Sequence, residues 1–359
     1  MNKVAIINTS LRRGGSERVT VILAEHLNKI GVNTEIITIY KDEDEYSFPN
    51  NIKRHIVLNN EERKKNKFLK IFLSNKRIRN IIKERNIDTF IIMDLPLYTY
   101  SIPSTLFLDT RVIVSERNDP ASYSGSKIIK ISSRFLMKFA DGFIFQTNDA
   151  KNFYGDFLKG RGTVIHNPFV GENIPEIHTG VKDKEIVTMG RLYPQKNQKI
   201  LIEAFFNIAK KIPDYRLVIY GEGPLREDLE KQIKRYKMED RISLPGNFID
   251  VHDRIKKAAL FVMTSNFEGM PNALIEAMAM GIPCISTDCP CGGPRELIRN
   301  GVNGILIPVN DTKSLEVAMI KVLLDNDLSE SISKNSIKIR EELNVEKICN
   351  EWINYIDSI

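Results

Sequence analysis

Cysteine is scarce in this chain: there are four in 359 residues, with no paired CxxC spacing among them. Cys284, Cys289, Cys291 and Cys349 therefore predict neither a disulfide framework nor a zinc site. Long hydrophobic runs are missing too, since stretches such as ALFVM at 259–263 stop far short of the ~18 residues of a membrane span. The opening MNKVAIINTSLRRGG offers four consecutive apolar residues, too few for the core of a secretory leader, which predicts a cytoplasmic chain. Low-complexity tracts and solenoid repeats do not occur. What is there is an ordinary globular mixture, 42% hydrophobic and 27% charged, able to fill buried cores. At roughly 150 residues per domain, the length predicts two domains.

The net charge of +6 is unevenly spread. Residues 1–168 hold 27 Lys and Arg against 18 Asp and Glu, whereas the remainder hold 25 against 28. A basic front half predicts an anionic partner, either nucleic acid or an anionic membrane surface. Its densest part is 53–85, where twelve Lys and Arg oppose three Glu and interleave with Phe68, Phe72, Ile78 and Ile82. That pattern predicts an amphipathic helix pair whose apolar face either fills the core or docks on an anionic leaflet. No aromatic stacking motif or nucleic-acid-binding module accompanies the charge, so nucleic acid is disfavoured.

Short β-rich runs alternate with helical patterns along the chain, the mark of βαβ units and parallel sheets. KVAIIN (3–8) reads as a buried strand, LRRGGS as a turn, and 17–30 as a helix with Val19, Ile22, Leu23 and Leu27 on one face. Further strands are expected at 35–40, 89–93, 111–115, 142–147 and 163–167. After a loose stretch at 168–184 the alternation restarts, with strands at 185–190, 216–221, 241–246, 260–265, 282–287 and 304–308. The fold class is α/β, as two Rossmann-like domains facing across a cleft. Their expected bounds are 1–168 and 169–343, with a final helix at about 344–359 packing back on the first.

The segment NFEGMPNALIEAMAMGIPCIST (266–287) is the most informative. Pro271 suits a first helical position and Gly281 a position just past the end, so a short helix is bracketed. Its start offers backbone N–H groups from Met270 to Ala273, with Gly269 and Asn272 among them, to an anion. Glu268 precedes it and Glu276 lies inside it. A carboxylate beside an anion site suits sugar hydroxyls better than phosphate, although a cap and a solvated helix residue are the plainer alternative. GRLYPQKN (190–197) follows a strand and sets Arg191 and Lys196 where a leaving diphosphate needs fixed cations. Gly221 and Gly223 in YGEGP form a glycine turn that either admits a nucleotide or merely joins strand to helix. Gly14, Gly15, Ser16 and Glu17 form a second glycine loop, which lacks the GxGxxG spacing of dinucleotide enzymes. Asp42-Glu43-Asp44 imitates a metal-binding DxD, but it sits in an acidic run at 42–45 that reads as a solvated loop.

These motifs in this order, GGSE at 14–17, GRLYPQK at 190–196, YGEGP at 220–224, E-x7-E from Glu268 to Glu276, and NGVNGILIPVND at 300–311, resemble the retaining glycosyltransferases of family 4. The resemblance implies the GT-B fold, a nucleotide sugar as co-substrate (a UDP-sugar in many members), and no metal or other cofactor. It implies that Arg191 and Lys196 bind the donor diphosphate, that Glu268 meets the donor sugar, and that Glu276 meets the ribose. Gly190, Gly269, Met270, Pro271, Asn272 and Leu274 would line the donor pocket, with Gly15 approaching from the first domain. SERNDP at 115–120 departs from the family's Glu-His pair: Glu116 is kept, Arg117 replaces the His, and Asn118 follows. With Gly14, Ser16 and Glu17 these form the expected acceptor side, and Arg117 either meets an acceptor phosphate or makes a local ion pair. The implied acceptor is a glycan or a polyprenyl-diphosphate-linked glycan in capsule, O-antigen or exopolysaccharide assembly. A nucleotide-sugar epimerase of the same fold and a non-catalytic binding protein remain as alternatives.

Overall fold

A computed structural model describes residues 3–12, 14–122, 127–171 and 174–359. The chain divides into two compact units, Met1–Pro168 with Val345–Ile359, and Phe169–Asn344. In the first, the strands are β1 (Lys3–Asn8), β2 (Asn33–Thr38), β3 (Lys53–Ile56), β4 (Thr89–Met93), β5 (Arg111–Glu116), β6 (Gly142–Phe145) and β7 (Gly162–Val164). They form a parallel sheet in the order β3-β2-β1-β4-β5-β6-β7. In the second, β8 (Asp183–Met189), β9 (Arg216–Tyr220), β10 (Ile242–Gly246), β11 (Ala258–Met263), β12 (Cys284–Thr287) and β13 (Ile305–Ile307) form a parallel sheet in the order β10-β9-β8-β11-β12-β13. Helices cover both faces of such a sheet, so its central strands are apolar without alternation. Val4 to Ile7, Phe90 to Ile92, and Leu260 to Val262 are all fully buried.

Both sheets reverse direction of growth beside their first strand, between β1 and β4 and between β8 and β11. The crevice beyond the carboxyl ends of the strands at such a switch point is where ligands bind in open α/β sheets. Loops after β8 and β11 carry GRLYPQKN and TSNFEGMPN, so the topology alone brings the 191–196 and 266–272 segments together.

The helix Val345–Asp357 belongs to the first unit, where Ile348, Cys349, Trp352 and Ile356 are buried. Tyr355 fixes it: its hydroxyl donates to the Arg161 carbonyl (2.5 Å) and accepts from the Phe143 N–H (2.8 Å).

The basic stretch 53–85 differs from the expected helix pair. Residues Lys53–Ile56 form an edge strand beside β2, a four-residue helix follows at Asn60–Arg63, and one long helix runs Lys67–Arg85. Several of its cations are spent inside the fold. Arg54 pairs with Glu45 at 2.6 Å, Arg77 with Glu62 at 2.7 Å, Arg85 with Glu35 at 2.6 Å, and Arg79 donates to the carbonyls of Ser104 and Leu106. The long helix is split along its length. Ile78 and Ile82 are buried, while Phe68 is 87% and Phe72 64% exposed.

The acidic run 42–45 is likewise not a purely solvated loop. Asp42 pairs with Arg63 at 2.6 Å. Burial would raise the Glu45 pKa, but the Arg54 guanidinium and the N–H groups of Asp42 and Leu11 hold it down at about 2.

Candidate functional site

In the second unit the loops after β8 and β11 are laced together before any side chain reaches solvent. Asn266 N–H donates to the Gln195 carbonyl (2.7 Å), and the Thr264 hydroxyl lies 3.0 Å from the Lys196 carbonyl. Gln195 Nε2 donates to the Phe267 carbonyl (3.0 Å) and Asn266 Nδ2 to that of Pro194 (2.8 Å). Asn197, which opens the helix Gln198–Ile208, has φ +50°, a left-handed conformation that asparagine tolerates better than most residues.

This scaffold presents Glu268, which is 6% exposed. Its Oε1 accepts from Lys196 Nζ at 2.5 Å and from the Ser265 hydroxyl at 2.6 Å, while Gln195 Nε2 approaches Oε2 at 3.4 Å. A buried carboxylate is costly unless paired and hydrogen-bonded, and here it is both. The Glu268 backbone is held from the other side, its N–H donating to the Pro290 carbonyl (2.7 Å). The Cys289-Pro290-Cys291 loop thus props the Glu268 loop. Burial pushes the Cys289 thiol up to about 12, with the Glu268 charge adding to the shift, so it is no nucleophile.

Beyond Glu268 the chain runs through Gly269, Met270 and Pro271 into the helix Asn272–Ala279. Pro271 is the extended residue that caps this helix, one position earlier than the sequence suggests, and it brings no side-chain acceptor to the first turn. Gly281, at φ +70°, ends the helix as expected. Leu274 is fully buried and anchors the first turn. The loop is pressed against the start of the helix Gly293–Leu297: a Cβ on Gly293 would fall 1.5 Å from the Gly269 carbonyl oxygen. Glu276 Oε2 stands 3.1 Å from His252 Nε2.

Arg191 is exposed, with its guanidinium 5.2 Å from the Tyr193 ring centre. Gly190, Gly221 and Gly223 lie where two loops pass close together. A Cβ on Gly221 would fall 1.9 Å from the Gly190 carbonyl oxygen, and one on Gly223 would fall 2.5 Å from that of Leu192. The glycines let the loops after β8 and β9 extend the sheet's hydrogen bonding, Gly190 N–H to the Tyr220 carbonyl and Leu192 N–H to that of Glu222.

The first unit gathers a polar cluster at its own switch point. Asn8, ending β1, donates from Nδ2 to the hydroxyls of Ser16 (3.1 Å) and Thr20 (3.0 Å), which fixes the start of the helix Gly15–Lys29. Gly14 is its extended cap, and the Glu17 carboxylate lies across it. Asp94, just past β4, has φ +70°, and its Oδ1 accepts from Arg117 N–H and Asn118 Nδ2, each at 3.2 Å. Glu116, ending β5, is buried and receives the Tyr154 hydroxyl at 3.4 Å. Burial, with the nearby Asp94 charge adding to it, pushes its carboxyl pKa well above the usual range. Arg117 is 5% exposed; its guanidinium donates to the Asn167 side chain and lies 5.9 Å from the Trp352 ring centre. Burial draws its pKa down to about 10 against the pull of Asp94 and Glu116. Neither Asp94 nor Ser265, Gln195 and His252 was visible as a partner in the sequence. Asp94 and Ser265 do follow strands that flank a switch point, which is the signal that points to them.

Two family models cover nearly the whole chain: "Glycosyltransferase Family 4" matches residues 13–169 and "Glycosyl transferases group 1" matches residues 171–339. Among curated relatives, two Campylobacter jejuni enzymes align end to end. One is the GalNAc-alpha-(1->4)-GalNAc-alpha-(1->3)-diNAcBac-PP-undecaprenol alpha-1,4-N-acetyl-D-galactosaminyltransferase, 26% identical over 100% of this chain and 99% of its own. The other is the N-acetylgalactosamine-N,N'-diacetylbacillosaminyl-diphospho-undecaprenol 4-alpha-N-acetylgalactosaminyltransferase, 27% identical over 99% and 100%. Among solved structures, Anabaena HepE in complex with UDP superposes with a TM-score of 0.82 at 19% identity, covering 100% of both chains. With both halves matched in order and folded as the two parallel sheets of a GT-B protein, the chain belongs to glycosyltransferase family 4 and is a glycosyltransferase.

Proposed function

We propose that this enzyme transfers a hexosyl or N-acetylhexosaminyl unit from a UDP-sugar, with retention, to a polyprenyl-diphosphate-linked glycan in surface polysaccharide assembly. The observation that carries the reading is the Glu268 carboxylate, buried at the second unit's switch point and charge-balanced by Lys196 beside an N-terminally open helix. In this reading Glu268 Oε2 accepts a hydroxyl of the donor sugar. Lys196 has three donors, so it can keep Glu268 and meet a diphosphate oxygen together. Arg191 and the N–H groups of the first helical turn supply the remaining positive field, preorganised for the charge that grows on the leaving diphosphate. The leaving oxygen then takes the acceptor's proton, so retention needs no second carboxylate nucleophile of the glycosidase kind. Glu276 meets the ribose. Asn272, Met270 and Leu274 shape the pocket around the phosphates and sugar.

The first unit takes the acceptor, with Gly14, Gly15, Ser16 and Glu17 on one side and Glu116, Arg117 and Asn118 on the other. The internal hydrogen bonds of Arg117 favour a role in holding the 116–118 loop over direct capture of a phosphate. Exposed Phe68 and Phe72 among Lys64, Lys65, Lys67 and Lys70 support peripheral docking on the anionic inner face of the cytoplasmic membrane. Among the described residues, no helix is long and apolar enough to cross a membrane. The two Campylobacter relatives, named for undecaprenyl-linked substrates, favour the same acceptor class.

The test is a panel of UDP-hexoses and UDP-N-acetylhexosamines, each incubated with a short-chain polyprenyl-diphosphate N-acetylhexosaminide. Mass spectrometry and NMR of the new linkage are the readouts. A product heavier by one sugar with the donor's anomeric configuration is expected. Inversion, or conversion of the donor sugar without acceptor, would overturn the reading, the second in favour of an epimerase.

A further inference from the structure

Glu276 is set by a residue that the motif it belongs to does not contain. His252 comes from the short helix Val251–Ile255 that follows β10, and its Nε2 stands 3.1 Å from Glu276 Oε2. The two side chains are only 17% and 12% exposed, so the pair is held inside the unit. A glutamate side chain left to itself samples many rotamers, and fixing one on binding costs conformational entropy. A partner that already holds one carboxylate oxygen removes much of that cost. A carboxylate has about four lone-pair sites, so an anchored donor still leaves acceptor capacity for the hydroxyls of a vicinal diol. An imidazole on a neighbouring helix is a stiff anchor, with two side-chain torsions where glutamate has three.

We propose that His252 is a positioning residue for nucleotide recognition, holding Glu276 so that the site prefers ribose over 2′-deoxyribose. The proposal rests on the reading that Glu276 meets the ribose. It predicts a dependence on the sugar of the nucleotide that a purely structural histidine would not produce.

The experiment is calorimetric titration of the whole chain with UDP and with 2′-deoxy-UDP. The proteins are the wild type, His252→Ala, His252→Gln, Glu276→Gln and the double variant His252→Ala with Glu276→Gln. UDP is expected to bind wild type about tenfold more tightly than 2′-deoxy-UDP, the scale of one hydrogen bond to a charged group. His252→Ala is expected to lose most of that preference through weaker UDP binding, with 2′-deoxy-UDP changed less than about twofold, and His252→Gln, which keeps an N–H donor, to restore it. The double variant should bind UDP no more weakly than Glu276→Gln alone. Equal losses for both nucleotides, or additive losses in the double variant, would overturn the proposal, since His252 would then support the fold or meet the nucleotide by itself. If Glu276→Gln removes the ribose preference and His252→Ala keeps it, only the proposal falls. If Glu276→Gln keeps the preference, the ribose reading falls and takes the proposal with it. Should His252→Ala fail to fold, His252→Asn, whose amide is too short to reach Glu276, is read by the same criteria.

Discussion

In the second unit the loops at the switch point bring each carboxylate a basic partner, Lys196 for Glu268 and His252 for Glu276. In the first, the loops at the equivalent point bring two carboxyl groups, Asp94 and Glu116, near one another, with a buried Arg117 turned toward Asn167 and Trp352. Both sheets have the same order about β1 and β8, so the topology is not what differs. In the second unit the buried Glu268 carboxylate is paired with Lys196. In the first, burial pushes the Glu116 carboxyl pKa well above the usual range, and the buried Tyr98 hydroxyl has no hydrogen-bond partner. An unmatched buried hydroxyl costs free energy.

The contrast can be broken first through the glycines. Gly221→Ala should lower the unfolding free energy by about 3 kcal/mol, because its Cβ would meet the Gly190 carbonyl at 1.9 Å and φ is +148°. Gly14→Ala should cost less than about 1 kcal/mol, since the obstacle is the flexible end of Glu17 and the backbone is extended. Thermal melts of both variants decide this, and equal losses would mean that the two glycine loops are equally rigid.

Next come the two buried carboxyls. Glu268→Gln should reduce kcat about a hundredfold with UDP affinity changed less than about threefold, and should cost about 2 kcal/mol by unbalancing Lys196. Glu116→Gln should cost less stability than Glu268→Gln, because burial already disfavours the charged form of Glu116 and glutamine carries no charge. The pH dependence has a definite sign. The folded chain keeps on Glu116 a proton that the unfolded chain releases near 4.5, so wild type should lose stability relative to Glu116→Gln as pH rises above that value. Denaturant titrations of both variants across pH test this directly, and a Glu116→Gln protein that loses stability as Glu268→Gln does would end the comparison.

Arg191→Ala should cut kcat/KM about tenfold to a hundredfold and leave the melting temperature unchanged, because Arg191 is exposed. Steady-state kinetics beside a melt would separate the two. Replacing Lys64, Lys65, Lys67 and Lys70 by Glu should weaken binding to anionic vesicles by about 1 kcal/mol per cation. Activity on a short soluble acceptor should survive. Arg63 and Arg77 are left alone because they already pair with Asp42 and Glu62. The smallest effect is expected from EDTA: the rate should stay unchanged, whereas a loss restored by manganese would reopen Asp42 and Asp44 as ligands.

Much of this protein was legible in its order of residues. Buried parallel strands announce themselves as unbroken apolar runs such as VAII and FIIM, because both faces are covered and no alternation is needed. The positions of Glu268, Arg191 and Lys196 follow from their places after such strands. The edge strand Lys53–Ile56 was not legible, since a strand on the rim carries charged side chains and looks like part of the basic helix that follows. Nor was the fate of the cations, because a sequence counts charges but does not pair them. Arg54 reaches Glu45 and Arg85 reaches Glu35 only once β2 and β3 lie side by side. Local pattern alone carries the central buried strands, the α/β class and the residues that follow the strand ends. Tertiary structure decided which of those residues meet: Lys196 on Glu268, His252 on Glu276, Asp94 beneath Arg117 and Asn118. Hydrogen bonds of 2.5 to 3.2 Å between residues 23 to 72 positions apart depend on how strands and helices pack, and no local pattern encodes that.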